Sequence, residues 1–506
     1  MKHEQRTDAP RTDAPVRATA GRIAVTAVAA PLLACLLSGC PVVKPEAAAK
    51  AVEAPARFKG GGQSGETPRA RWWTLFDDPY LNGLIERIDG ENLELRAGLA
   101  RIGQAYAALG ISRSDLVPNL DGTGEVQRIR RSENDQGGGS GFRTEPGGEG
   151  ALGFQSSGGG GNPYTQYRAG LALGWEIDLW GRVRYLVDAG AADAAAVERA
   201  TEDLRLSLQG QLARNYFTLR FLDEEQRVLQ EAVQTRRDNL KVATDRFEGG
   251  GTGELDVARA ETELSTTRAD LARLAGSRTR LENAIAVLAG TQPSNFEIPR
   301  RPPAARLPEV RAGLPIQVLE NRPDVAEAVA RLEAANARIG VAKAEFFPRV
   351  NLVGTGGLSS IDSNDFLAWS SRYFAIGPEI SVPVYQGGRL KANLAGRRAE
   401  QEEALADYQQ TVLAAFRDVE DALADLAAYR DERAATLAAV RSSKRALSLS
   451  RRRYEEGLVS SIEVIDAIRE QLAAERRAVQ VRGLQYVSTV ELIQAIGGGM
   501  SSQHAK

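Results

Sequence analysis

The sequence predicts a mainly α protein that also contributes to a transmembrane β-barrel and is built from an internal tandem repeat. Three observations predict it. Two proline-free tracts, Tyr164 to Gln292 and Val384 to the C-terminus, are dominated by Ala, Leu, Arg and Glu, with apolar residues at steps of three or four. Shorter stretches beside them alternate apolar with polar or small residues, the period of a strand with one oily face. The second half also repeats the first: an offset of 207 residues places Gly181-Arg182 over Gly388-Arg389 and holds without a gap to Gly290 over Gly497.

Taken in order, residues 1–39 read as a lipoprotein signal peptide. Arg17 and Arg22 bring positive charge to the apolar run Ile23 to Leu37, which is too short to span a bilayer comfortably. The run closes in Leu37-Ser38-Gly39-Cys40, which resembles the lipobox of bacterial lipoproteins. In such chains the cysteine becomes the first mature residue, so Cys40 is expected to carry diacylglycerol and an N-acyl chain. Pro41 is not the aspartate that commonly retains lipoproteins at the inner membrane, which points to the outer one. The alternative is an ordinary signal peptide with an incidental cysteine.

Residues 40–115 are expected to hold an anchor segment and a short helix over Leu81 to Leu109. Residues 116–180 hold a strand pair, around Leu116 to Ile129 and then Tyr167 to Trp180. In the second of these Tyr167, Ala169, Leu171, Leu173 and Trp175 alternate with Arg168, Gly170, Ala172, Gly174 and Glu176. Gly137 to Asn162, rich in glycine and nearly free of aliphatic residues, reads as a surface loop between them.

Residues 181–292 form a helical hairpin marked by Leu204, Leu208, Leu212, Tyr216 and Leu219. Its first arm, from about Arg182 to Phe247, would run on the order of 100 Å at about 1.5 Å per residue and must pack along its length. Residues 293–348 hold a proline-rich link, Pro293 to Pro315, and a short helix, Pro323 to Glu345. Residues 349–385 bring a second strand pair, with Val350 and Leu352, then Phe374, Ile376 and Ile380. Residues 386–497 repeat the hairpin, with Leu413, Phe416, Val419, Leu423 and Leu426 on one stripe, and 498–506 is a tail.

Composition removes most chemistry. Without its leader the chain keeps one cysteine, Cys40, and one histidine, His504. A disulfide, a zinc site and a Ser-His-Asp or Cys-His nucleophile are hard to build from that set. A carboxylate-only enzyme is not removed by this filter. Sixty-four basic against 66 acidic residues leave no broad footprint for nucleic acid. No segment after the leader reaches eighteen consecutive apolar residues, so whatever enters a membrane must be strands in a closed barrel. Strands of about 9 to 13 residues with one apolar face fit such a wall, and a periplasmic sandwich is the other structure they fit. A half with two strands cannot close a barrel, and neither can both halves together, so the chain asks for copies of itself.

The motifs then match a known family. Trp72-Trp73 with Phe76-Asp77-Asp78-Pro79, Asn321-Arg322-Pro323-Asp324-Val325, Ala334-Ala335-Asn336-Ala337-Arg338-Ile339-Gly340, Phe346-Phe347-Pro348, Gly387-Gly388-Arg389 and Arg453-Tyr454-Glu455-Glu456-Gly457 resemble those of the outer-membrane factor family. These are the TolC-like and OprM-like channels of tripartite efflux pumps, and the resemblance covers nearly all of the mature chain. It implies a homotrimer with four strands per protomer in a twelve-stranded barrel, above a tunnel-forming α-barrel. Implied partners are a periplasmic adaptor and an inner-membrane RND-type transporter, with no nucleic acid and no cofactor beyond the lipid. The proline-rich link falls at the equatorial belt.

The same resemblance puts a gate at the tips where the long helices turn. Glu463 and Asp466 would project into the lumen as acidic rings, Ile462 would sit at an apolar constriction, and Asp256 with Tyr454 would be latch partners. Gly250, Gly457 and Leu458 lie at the turns that meet the adaptor. Some members carry arginine at the place of Val459, so this chain has one latch contact fewer. A plainer reading stands beside the gate: Ser460-Ser461-Ile462-Glu463 fits a capping box, and Gly250 and Gly457 fit helix ends. A type I secretion duct shares the fold. A periplasmic adaptor or scaffold lipoprotein shares the helices and lipid but not the strands. Scarce His and Met argue against a metal-coordinating lumen.

Overall fold

The computed structural model describes residues 54–59, 71–130, 163–303, 307–310 and 312–498. The leader, Cys40, the glycine-rich stretch Gly137 to Asn162 and His504 lie outside the described residues. After a short 3-10 turn at Trp72–Phe76 the elements are α1 (Pro79–Glu91), α2 (Leu93–Ser114), β1 (Asn119–Ile129), β2 (Tyr164–Glu176), α3 (Arg182–Glu248) and α4 (Glu254–Leu288). There follow α5 (Pro315–Asn321), α6 (Pro323–Ala344), β3 (Arg349–Ser360), β4 (Arg372–Ser381), α7 (Arg389–Glu455) and α8 (Ser461–Ala495).

The repeat is visible in the element boundaries. Helices α3 and α7 have 67 residues each, α4 and α8 have 35 each, and all four pairs of ends keep the 207-residue offset. Upstream, α2 and α6 have 22 residues each and begin at 93 and 323. The offset changes between the strands, because residues 130–163 join β1 to β2 whereas only 361–371 join β3 to β4. The halves thus differ chiefly in the number of residues between the paired strands.

The chain falls into two compact units. The first, residues 113–186 and 340–394 among those described, is built on an antiparallel meander in the order β1-β2-β3-β4. Its register sorts the side chains cleanly. One row across the sheet is Leu120, Leu173, Gly354 and Ile376; the next is Asp121, Ala172, Thr355 and Ala375. One face is therefore apolar and the other polar or small, and the apolar face is bare: Val126 is 69%, Leu171 53% and Phe374 84% exposed. Strand β2 stops at Glu176 rather than reaching Trp180, because Glu176 and Asp178 turn to hold Arg182 at 2.7 Å and Arg184 at 3.2 Å. Trp180 donates to the Pro348 carbonyl at 2.6 Å and stacks on Phe347. No described helix is long and apolar enough to cross a membrane.

The second unit, residues 54–112, 187–339 and 395–498 among those described, holds the helical core. Trp72, Trp73, Phe76, Leu81, Ile85 and Ile88 pack against Leu212, Tyr216, Phe217, Tyr486 and Val490. The Phe76-Asp77-Asp78-Pro79 motif has a local reason. Asp78 caps α1 by accepting from the amides of Tyr80 and Leu81, Pro79 fits its first turn, and the other carboxylate oxygen takes the Tyr216 hydroxyl at 2.6 Å.

The expected single helix over Leu81 to Leu109 is two. Asn92 breaks it, leaving α1 and capping α2 through the amide of Leu95, while its NH2 donates to the Leu288 carbonyl at 2.8 Å. Arg322 does the equivalent in the second half, reaching the Ala495 carbonyl at 2.9 Å. The link after α4 is strapped down by charged side chains: Arg278 and Arg220 donate to the carbonyls of Ile298 and Pro299 at 2.6 and 2.7 Å, and Glu282 accepts from the Ile298 amide. Arg220 is almost fully buried, and it is tolerated there because Asp223 lies 3.7 Å away and the Tyr216 ring covers it.

Candidate functional site

Both hairpins turn by the same backbone device. At the first tip Gly250 takes φ +72, its amide bonds the Phe247 carbonyl, and the Gly251 amide bonds that of Arg246. At the second, Gly457 takes φ +74 and the amides of Gly457 and Leu458 bond Tyr454 and Arg453. This is the Schellman closure of a helix end, and only glycine adopts that backbone without strain. The helix-end reading of Gly250 and Gly457 is thus what the geometry shows. Leu458, beside the second, is 64% exposed.

Past the second turn, Val464, Ala467 and Ile468 pack with Leu447 and Tyr454 into a small apolar cluster. Helical periodicity then leaves Ile462, Glu463 and Asp466 on the opposite, exposed side of α8. The capping box does not form. Ser460 has an N-cap backbone but makes no side-chain cap bond, because the amide of Glu463 turns to the Ser460 carbonyl in a tight first turn. The Glu463 carboxylate is therefore not spent on a cap.

The two tips are tied to each other. The Arg246 guanidinium lies 4.2 Å from the centre of the Tyr454 ring and donates to the Tyr454 carbonyl at 3.3 Å. The Ser461 hydroxyl donates to Asp256 at 2.6 Å, and Thr252 donates to its other oxygen. These two bonds, with the Arg259 cation 3.7 Å away, hold the Asp256 carboxyl below the usual carboxylate range. Within one chain Asp256 and Tyr454 share no hydrogen bond; each finds its partner in Ser461 or Arg246. A second tie lies further from the turns. Asp466 meets Arg469 at 3.3 Å, Arg469 bonds Glu263, and Glu263 pairs with the buried Arg236 at 3.0 Å.

Sequence reasoning singled out Asp256, Tyr454, Ile462, Glu463 and Asp466 but missed Arg246, Ser461, Arg469, Glu263 and Arg236. Arg246 falls over Arg453 at the 207-residue offset of the repeat. Among the described residues no cluster of His, Cys, Asp and Glu could hold a metal ion.

Comparison with known proteins accords with this architecture. A family model described as outer membrane efflux protein matches residues 84–291 and 314–498. The solvent efflux pump outer membrane protein SrpC of Pseudomonas putida is 31% identical over 478 residues, covering 92% of this chain and 97% of that one. The probable outer membrane lipoprotein SilC of Salmonella typhimurium is 27% identical over 475 residues, covering 92% and 96%. Among solved structures, the outer-membrane channel OprN superposes with a TM-score of 0.81 at 27% identity, covering 91% of this chain and 100% of that one.

Proposed function

Since this chain belongs to the outer membrane efflux protein family, and is accordingly an outer-membrane efflux channel rather than an enzyme, we propose that three copies of it build one passive exit duct. Twelve strands, four from each copy, close a barrel in the outer membrane, and the long hairpins line a periplasmic tunnel. One observation carries this: the sheet is two-faced and both of its outer strands, β1 and β4, pair on one side only. An apolar face that large is unstable in water, and open strand edges call for further strands. Neighbouring copies supply the edges and lipid covers the face.

In this reading a periplasmic adaptor meets the tips at Gly250, Gly457 and Leu458, and an inner-membrane RND-type transporter loads the duct with drugs or other small toxic compounds. Cys40 carries the lipid anchor, on the strength of its lipobox; SilC bears the name lipoprotein. The gate is formed by Ile462, Glu463 and Asp466, whose exposed side of α8 turns to the lumen, and Asp256 and Tyr454 hold it shut through Ser461 and Arg246. A secretion duct would share the fold, and the efflux names of the relatives favour efflux.

Purified protein tests this through its mass in detergent and its behaviour in planar bilayers. A trimer with discrete, salt-dependent conductance steps is expected, and a silent monomer would sink the reading. Replacing Glu463 and Asp466 together by alanine is expected to raise conductance; an unchanged value removes them from the gate.

A further inference from the structure

The strand register sorts charge as well as hydrophobicity. On the apolar face β1 presents Leu120, Val126 and Arg128, and β4 presents Arg372, Phe374 and Ile376. Within the four strands these two arginines are the only charged residues on that face. Asp121, Glu125, Arg168, Glu176, Arg349 and Glu379 all fall on the other. Both arginines also stand at the same end of the sheet: Arg128 pairs with Thr165, one residue into β2, and Arg372 opens β4. That is the end where residues 130–163 and 361–371 join the strands, opposite the end at which the chain enters from α2 and α6 and leaves for α3 and α7.

Among the described residues neither guanidinium has a carboxylate partner. Arg372 instead lies 3.5 Å from the centre of the ring of Trp369, which is exposed. Tyr167, on the same face near this end, has Phe366 at 6.3 Å between ring centres. Rings with a polar tip mark the level where hydrocarbon gives way to headgroups, and an arginine that is costly at mid-depth costs little there. A guanidinium offers a fork of N–H donors that phosphate oxygens accept in pairs. No acid on this face of the strands repels such a group. The arginines sit, moreover, on the two edge strands. Where β4 of one copy pairs with β1 of the next, Arg372 and the adjacent copy's Arg128 flank one seam and face lipid.

We propose that each seam binds, in the outer leaflet, an anionic lipid whose headgroup carries phosphate, with Arg372 and the adjacent copy's Arg128 as its ligands and Trp369 positioning Arg372. A headgroup with two phosphates and no cation of its own matches two guanidinium groups; one with its own ammonium does not. The proposal rests on the trimeric barrel reading above.

The test is native mass spectrometry of the full-length trimer in detergent, titrated with diphosphorylated lipid A, with phosphatidylethanolamine and with inorganic phosphate. Up to three lipid A molecules per trimer are expected. Arg128→Gln with Arg372→Gln should weaken that binding roughly thirtyfold, the scale of two cations at an anionic surface. Arg168→Gln, on the other face, should leave it unchanged. If the double variant fails to trimerise, either single variant should weaken binding about fivefold. Equal binding by parent and arginine variants, or equal binding of phosphatidylethanolamine, would show that acyl chains alone hold the lipid and overturn the proposal. Displacement of the lipid by an equal concentration of inorganic phosphate would overturn it in favour of a free-anion site. Failure of the trimeric reading is seen separately, as monomer before any lipid is added.

Discussion

At Asp256 two hydroxyls decide how a carboxylate behaves. Ser461 and Thr252 both donate to it, and both bonds favour the ionised form, so its pKa lies below the ordinary value. The sign follows from linkage: a depressed carboxylate contributes its tie fully above the ordinary pKa of about 3.9 and loses it as pH falls through the depressed value. A Ser461→Ala duct is therefore expected to begin leaking at a higher pH than the parent when open probability is followed downward from pH 7; coincident curves would show that the bond does not hold the tips. Asp256 was singled out by resemblance to the family, not by any local signal in its own sequence. Its partner was not singled out: Ser461 lies 205 residues away and had been read as part of a cap. Arg246 and Tyr454, 208 residues apart, were hidden for the same reason, since no sequence period reports which side chains of two remote turns meet.

Elements were the most legible scale. The long helices follow from unbroken periodicity without proline, and α3 was expected within a residue of where it ends. The break at Asn92 was not, because the apolar stripe from Leu84 through Leu95 to Leu109 runs across it, although Gly90 and Asn92 together are a local breaker signal. Its importance is measurable. Asn92→Ala removes a helix cap and leaves the Leu288 carbonyl without its side-chain donor, at a cost of about 1–3 kcal/mol. Gly290→Ala should cost more, since a Cβ there would lie 2.2 Å from the Glu91 carbonyl oxygen at a backbone φ of +68. Thermal loss of helical signal in detergent should rank parent, Asn92→Ala and Gly290→Ala in that order. For the sheet, alternation located β2, β3 and β4, and the paired register adds which side meets lipid. Leu171→Arg is expected to impair membrane assembly by about 2–4 kcal/mol, whereas Ala172→Arg on the other face is tolerated and alters ion selectivity; equal effects would contradict the assignment of faces.

For the whole molecule, the sequence said that a four-stranded chain with two open edges needs copies of itself, and only resemblance set their number at three. The two-faced sheet with unpaired β1 and β4 supplies the physical half of that argument. Composition removed thiol, imidazole and zinc chemistry early, and membership of the efflux family removes the carboxylate-only enzyme that composition had left.

The matched lengths of the two hairpins restrict how such a gene can change. Removing three residues from each arm of one hairpin alone would withdraw its turn by about 4.5 Å, and Arg246 would part from Tyr454 as Ser461 would from Asp256. A lengthened or shortened descendant must carry the same edit twice, 207 residues apart, so insertions and deletions are viable here only as mirrored pairs. The connection between β1 and β2 is under no such constraint, and there the halves differ in length.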